Sequence, residues 1–292
     1  MNILEAIELA QKDIDINGSE SSRPVYKWHR ENAEAYWGPV DLADISRREV
    51  QRWIDMRRLE VEAATLAHEL SYLARLYKVA WKNGYEVTNP CHDLDKPRIR
   101  NKRKRVMTNS EEEAIGESMA AREFSLVQFL VHSSLRRFEV FRLKPQDLDI
   151  FTKVVDGRIL RVGIAMIHES KTGVSRTCAL NPIAVEIAQA WMDAEPGEYV
   201  FLSSRKGKRL NVATTMTKKF HEQCVKLGIV DLRLHDLRRT AASRASANGA
   251  HVEDIQQLLG HQSVQMTERY ITRDNDPMWR AAMAIYSYKK AA

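Results

Sequence analysis

Cysteine is scarce: three residues, Cys91, Cys178 and Cys224, are spread over 292 positions. They form no C-x-x-C pair and no zinc-type spacing, so neither a disulfide framework nor a structural zinc is expected. A reducing, intracellular setting fits this usage best. Long apolar runs are also missing. No stretch approaches the roughly 20 residues a membrane span needs, so no membrane partner is expected. The N-terminal stretch MNILEAIELAQKDID is acidic and amphipathic, which is not the basic-then-apolar layout of a signal peptide. The chain has no internal repeat and no low-complexity tract. It also lacks a carboxylate cluster of the kind that holds magnesium, so a metal-free mechanism without cofactors is preferred.

What the chain does have is charge and helical periodicity. Hydrophobic residues make up 44% and charged residues 29%, enough for packed cores under a heavily ionic surface, and the length suits two domains. The net charge of +6 says little by itself. Its distribution says more: KPRIRNKRKR, residues 96–105, holds seven basic residues in ten and no acid. Such density favours an extended segment and suits a polyanion, although a solvated linker explains the same run.

This basic run reads as a boundary. Before it, helical patterns cover residues 3–12, 26–37 and 47–58, and Leu66, Leu70, Leu73 and Tyr77 mark a longer helix that stops at Asn83-Gly84. Residues 13–24 are polar and read as a loop. The expected first domain is therefore all-helical, residues 1–100, with the basic linker running to 105. A second domain, residues 106–292, opens at Ser110 as an N-cap with Glu113 three residues on, and stays helical through FSLVQFLVHSSLRRFEVFRL. The texture then changes. KVVDGRILRVGIAMIHESKTGVSRTCALN is rich in β-branched residues and carries turns at Asp156-Gly157 and Lys171-Thr172-Gly173, which predicts three short antiparallel strands. A short extended piece is expected at Tyr199–Phe201, and helices return from Pro182 to the end. The fold class is mainly α with a small antiparallel β-sheet, in two domains.

Four stretches of the second domain carry cations or imidazoles beside turns and helix starts. In SSLRRFEVFRL, Arg136 and Arg137 open a helix, and Glu139 shares a face with Arg136; the bland alternative is an exposed ion pair. In HESKTGVSR, Lys171 sits in the hairpin turn, where most lysines are simply solvated. In LRLHDLRRTAASR, His235 and Arg238 lie three apart at a helix start, near the positive end of the helix dipole, a good place for phosphate. Arg239 and Arg244 extend the positive charge. In LLGHQSVQMTERYITR, Gly260 closes a helix as a C′ glycine, His261 follows in a tight connection, Ser263 caps the next helix, and Tyr270 lies two turns into it.

Two arginines, two histidines, a lysine and a tyrosine suit phosphoryl transfer. Arginine forks match phosphate oxygens, and preorganised donors stabilise the extra charge of a pentavalent transition state. A tyrosine hydroxyl, with a pKa of about 10, needs a base or a positive field before it attacks. Lysine or histidine can protonate a departing alkoxide.

The order Arg136, Lys171, His235-x-x-Arg238, His261, Tyr270 resembles the tyrosine recombinase family, of phage integrase type. SSLRRFEVFRLKPQDLD looks like its first arginine motif, SKTG its β-hairpin lysine, LHDLRRTAAS its H-x-x-R box, and LLGHQSVQMTERY its L-G-H box leading to the nucleophile. Ser133 and Ser134 stand where that family often has threonine and usually glycine. The resemblance implies that Arg136 and Arg238 grip the scissile phosphate, that His235 hydrogen-bonds it and helps take the tyrosine's proton, and that His261 donates to a phosphate oxygen. Lys171 would be general acid for the 5′-hydroxyl, Tyr270 the nucleophile that forms a 3′-phosphotyrosine, and Glu139 a buttress. The helical first half resembles the family's core-binding domain. Arg100, Lys102, Arg103, Lys104 and Arg105 of the linker, with Arg239, would follow the DNA backbone.

The implied protein is a site-specific recombinase, an integrase or excisionase of a phage or other mobile element. It would act as a homo-tetramer on double-stranded DNA through a Holliday junction, with accessory DNA-bending or directionality factors as further partners. The final segment, DPMWRAAMAIYSYKKAA, has helical spacing and suits docking on a neighbouring protomer or packing on its own domain. Relaxation of supercoils in the manner of type IB topoisomerases, and a silent relative that only binds DNA, are the alternatives.

Overall fold

The structure, a computed structural model, describes residues 1–17, 23–92, 94, 105–155, 157–168, 175–202, 215–260 and 276–291. The chain divides into two compact units, Met1–Arg103 and Lys104–Ala292. Among the described residues, no helix is long and apolar enough to cross a membrane.

The first unit is four helices: α1 (Ile3–Asn17), α2 (Arg23–Trp37), α3 (Arg47–Arg57) and α4 (Ala63–Lys82). Helix α1 runs past the expected stop at residue 12 and α2 starts at residue 23, so residues 13–17 and 23–24 of the stretch expected as a loop are helical, and 18–22 lie outside the described residues. The reason is Ile14, fully buried with Ile3, Ile7 and Ala10 on one face; its burial outweighs the polar residues around it. The α1 extension is also tied to α4, where Arg75 donates to Asp13 Oδ2 at 2.6 Å. Ser46 and Glu49 cap α3 reciprocally, and α4 ends at Asn83 with Gly84 at φ +85°. Helix α4 supplies Leu66, Leu73, Leu76 and Tyr77 to the core, and the Tyr77 hydroxyl donates to the Leu42 carbonyl at 2.9 Å.

The second unit is helical with one small sheet. Its elements are α5 (Asn109–Ser118), α6 (Ala121–Ser133), α7 (Arg137–Arg142), β1 (Leu148–Val155), β2 (Arg158–Ile167), β3 (Arg176–Leu180), α8 (Pro182–Ala194), α9 (Thr217–Lys226), α10 (Asp236–Ala247), α11 (Val252–Leu259) and α12 (Asp276–Ala291). The sheet order is β1-β2-β3, antiparallel throughout, with Leu148 opposite Ala165 and Ile167 opposite Arg176. The mainly helical class with three antiparallel strands is therefore what the sequence implied. Residues 199–201 join no strand of this sheet, although Val200 N donates to the Leu143 carbonyl at 2.8 Å.

Two boundaries differ from expectation. The cap of α5 is Thr108 with Glu111, two residues before the expected Ser110 and Glu113. Both frames satisfy the capping pattern; the observed one also lets Glu111 bind Arg105. The helix expected through residues 124–143 breaks at Ser134, which adopts φ +50°, ψ +13°, and α7 then restarts with Arg136 as its N-cap. Left-handed backbone is uncommon for serine and costs about 1–2 kcal/mol, so the fold around it must hold it there.

Helix α6 runs through the core of this unit, with Val127, Phe129 and Val131 fully buried. The final helix, α12, packs on α6, α10, α11 and β3 of its own unit and buries Met278, Trp279, Ala282 and Ile285. The Trp279 ring meets Phe151 edge-on at 5.9 Å. Of the two placements the sequence allowed, the structure has the packing on the same chain.

Candidate active site

Arg136 is placed by the break before α7. Because the chain turns at Ser134 and restarts a helix, Glu139 falls in the first turn, and its carboxylate accepts both the Arg136 backbone N–H at 2.7 Å and the Arg136 guanidinium at 2.9 Å. Glu139 is buried, yet it stays ionised. Burial alone would raise its pKa; the charge of Arg176 and the hydrogen bonds from Arg136 and Arg176 outweigh this and hold it below the ordinary value.

Arg238 projects from the first turn of α10 into the same region and is 7% exposed. Its fork donates to two backbone carbonyls, Ser134 at 2.6 Å and Leu259. Loss of hydration, then the neighbouring cations Arg136 and Arg176, push its pKa down to about 10 against the pull of Glu139. No carboxylate pairs with it among the described residues. The loop with the strained serine therefore does two things: it delivers Arg136 to α7, and it offers the Ser134 carbonyl that orients Arg238.

His235 is the N-cap of α10 and is exposed. It lines a cleft of about 420 Å³ together with Arg136, Arg137, His221 and Arg233. Partial loss of hydration, then Arg238, Arg137 and Arg239, lower its pKa despite Asp236, so the ring is neutral at physiological pH and can accept a proton. Helix α11 ends at Gly260, φ +62° and ψ +49°, a left-handed cap as its sequence implied. Arg136 reaches the Gly260 carbonyl at 3.4 Å.

The structure thus brings Arg136, Glu139, Arg238 and His235 to neighbouring positions. Lys171, His261 and Tyr270 lie outside the described residues, as do Arg100, Lys102, Arg103 and Lys104 of the linker. Arg239 is exposed on α10. Arg105 is engaged within its own unit: its guanidinium pairs with Glu111 and donates to the Val106 and Val230 carbonyls. Arg244 does not extend the positive surface. It is buried against Glu112, because six residues at 100° each turn it some 240° from Arg238 around the helix.

One residue of the site was missed from the sequence. Arg176 opens β3 and donates to Glu139 Oε2 at 2.7 Å. A signal existed: strand residues two apart share a face, and Cys178 on that face is fully buried, so Arg176 is a cation on the inward side of a strand. Arg136 and Arg176 share the one Glu139 carboxylate and Arg238 lies close by, so positive charge is in excess beside the cleft that Arg136 lines. Such a site is built to receive an anion, and arginine forks select phosphate-like oxygens.

Comparison with known proteins gives this geometry its class. Residues 99–276 match the Phage integrase family. Relatives include a shufflon-specific DNA recombinase of Escherichia coli, 27% identical over 79% of this chain and 58% of that one. A putative prophage phiRv2 integrase of Mycobacterium tuberculosis is 26% identical over 81% and 65%. A tyrosine recombinase XerC of Mycobacterium bovis is 28% identical over 70% and 71%. Against the first two, the match spans less than two thirds of the relative's length. In fold, the chain is similar to residues 75–356 of lambda integrase, solved as a dimer bound to a COC′ core site, with a TM-score of 0.72 at 20% identity over 94% of this chain and 100% of that one. It is also similar to the Tn1549 transposon integrase in complex with circular intermediate DNA, with a TM-score of 0.67 at 16% identity over 97% and 99%. The chain belongs to the phage integrase family, the tyrosine recombinases.

Proposed function

We propose that this protein is a site-specific DNA recombinase that cuts and rejoins strands through a covalent 3′-phosphotyrosine, as an integrase or excisionase of a mobile element. The observation that carries the reading is the undercompensated arginine cluster, with Arg136 and Arg176 sharing the Glu139 carboxylate beside the buried Arg238, and with Arg136 lining a cleft together with His235. Arg136 and Arg238 hold the nonbridging oxygens of the scissile phosphate and stabilise the charge of the pentavalent transition state. The Tyr270 oxygen attacks phosphorus in line, and its proton passes to the neutral His235. The bond to O5′ breaks, and Lys171 supplies the proton that the leaving oxygen needs. His261 donates to a phosphate oxygen. Each strand exchange keeps the number of phosphoester bonds constant, so rejoining requires no nucleotide hydrolysis.

The first unit serves as a core-binding domain, and with the linker it clamps the duplex. Four protomers assemble two duplexes and pass through a Holliday junction. One related lambda integrase structure is a tetramer bound to a Holliday junction, which supports this assembly. The test is a nicked suicide duplex carrying the element's own ends, incubated with EDTA and no nucleotide. The wild-type chain should form a covalent protein–DNA adduct, and Tyr270→Phe should retard the duplex in a gel without forming one. Normal adduct formation by Tyr270→Phe removes it as nucleophile.

A further inference from the structure

Arg176 belongs to the arginine cluster but has no phosphate contact assigned to it above, and its side chain meets three residues of the site, Glu139, Leu258 and Gly260. It is the first residue of β3, five positions after Lys171 in sequence. One arm, Nη2, donates to the buried Glu139 carboxylate at 2.7 Å, and the other oxygen of that carboxylate holds Arg136 at 2.9 Å. The second arm, Nη1, approaches the Leu258 carbonyl at 3.5 Å, in the last turn of α11. The group lies close against Gly260. A Cβ at that position would stand 2.7 Å from Arg176 Cδ, 2.8 Å from Nε and 3.0 Å from Cζ. The Nε–H is buried and has no hydrogen-bond partner among the described residues.

A partly buried guanidinium with a buried, unpaired Nε–H is an unfavourable way to fill space, since an apolar chain of similar volume packs without that penalty. What the guanidinium adds is direction. A planar group fixed at both arms sets the rotation of Glu139, and Glu139 sets the plane in which the Arg136 fork lies. The same group backs the glycine from which the chain leaves α11 toward His261 and Tyr270. We propose that Arg176 is a positioning residue for strand cleavage: through Glu139 it orients Arg136, and through Gly260 it sets where the nucleophile-bearing segment departs. This rests on the cleavage reading above. Arg176 itself need not touch DNA.

The test uses Arg176→Lys, which keeps the charge but loses the planar two-armed contact, beside Arg176→Met and the wild-type chain. Thermal melting and affinity for the core site come first; Arg176→Lys should bind DNA within about threefold of wild type, because phosphate contacts elsewhere dominate affinity. Single-turnover adduct formation on the suicide duplex should fall roughly 10- to 100-fold, the scale of an ångström-level misplacement of a reacting group. The second substrate carries an uncharged methylphosphonate at the scissile position. Placement of the Arg136 charge matters less there, so the deficit should shrink; a general loosening of the fold would lower both substrates alike. Equal losses on the two substrates, or cleavage near the wild-type rate, would overturn the proposal. Hydrogen exchange without DNA provides an arm independent of cleavage. The Gly260 amide, bonded to the Gln257 carbonyl at 3.0 Å, should exchange faster in Arg176→Lys while the α6 amides do not. Unchanged exchange there refutes the part played through Gly260. Failure of the wild-type chain to form any adduct would refute the cleavage reading instead, and the exchange result would stand by itself.

Discussion

Replacing Gly260 with alanine adds one methyl group at the junction of α11 and the segment that carries His261 and Tyr270. Two separate penalties follow from its geometry. The backbone sits at φ +62°, where a Cβ costs roughly 1–2 kcal/mol. The new methyl would also lie under 3.0 Å from Arg176 Cδ and Nε, so the guanidinium must move. Moving it weakens the 2.7 Å bond to Glu139, a charge-assisted contact of about 1.5–3 kcal/mol. The sum is about 2.5–5 kcal/mol, or ~10 °C in Tm for a unit of this size. Gly249 provides the control. It has φ +83° with nothing within 4 Å of an added Cβ, so Gly249→Ala carries only the backbone penalty. Calorimetry or urea melts of both variants, repeated in an Arg176→Ala background, separate the two effects. In that background Gly260→Ala should cost no more than Gly249→Ala. The reasoning fails if Gly260→Ala matches Gly249→Ala with Arg176 in place, or if removing Arg176 leaves the penalty unchanged.

Three further outcomes are expected. Lys171→Ala should slow cleavage of an ordinary duplex and recover in part with a 5′-thio leaving group, which needs less protonation; equal losses on both substrates would remove Lys171 from the acid role. Glu112→Ala takes the carboxylate from the buried Arg244 and should destabilise the second unit by about 3–5 kcal/mol in urea melts, whereas a surface pair would cost under about 1 kcal/mol. Glu139 is held below its ordinary pKa of 4.5, so its contribution to stability is complete above that pH and is lost as pH falls through the lower folded value. Wild type and Glu139→Gln should therefore differ most at neutral pH and converge toward pH 3; a constant difference would mean that the carboxylate's charge is not what stabilises the cluster.

The features that were legible in the sequence are those encoded within a few residues. The helices of the first unit announce themselves by apolar spacing, and the L-G-H box announces the left-handed cap at Gly260. Features that depend on distant partners were not legible. Ser134 gives no local sign of left-handed backbone; it is held there in part because Arg238, 104 residues away, grips its carbonyl. The match between Glu139 and Arg176 spans 37 residues and requires the strand to deliver a cation to its inward face. Arg244 looks like one more surface cation until the helix turns it onto Glu112. The cap of α5 was ambiguous because TNSEEE satisfies the pattern in two frames, and a third residue, Arg105, decides between them.

The most direct measurement is to trap the adduct on a nicked duplex, digest the protein, and identify by mass spectrometry the residue bound to DNA and the strand end it carries. The account predicts a single species, Tyr270 esterified to a 3′-phosphate, with a free 5′-hydroxyl on the released strand. Attachment through a serine, or a 5′-phosphate on the protein, would contradict it.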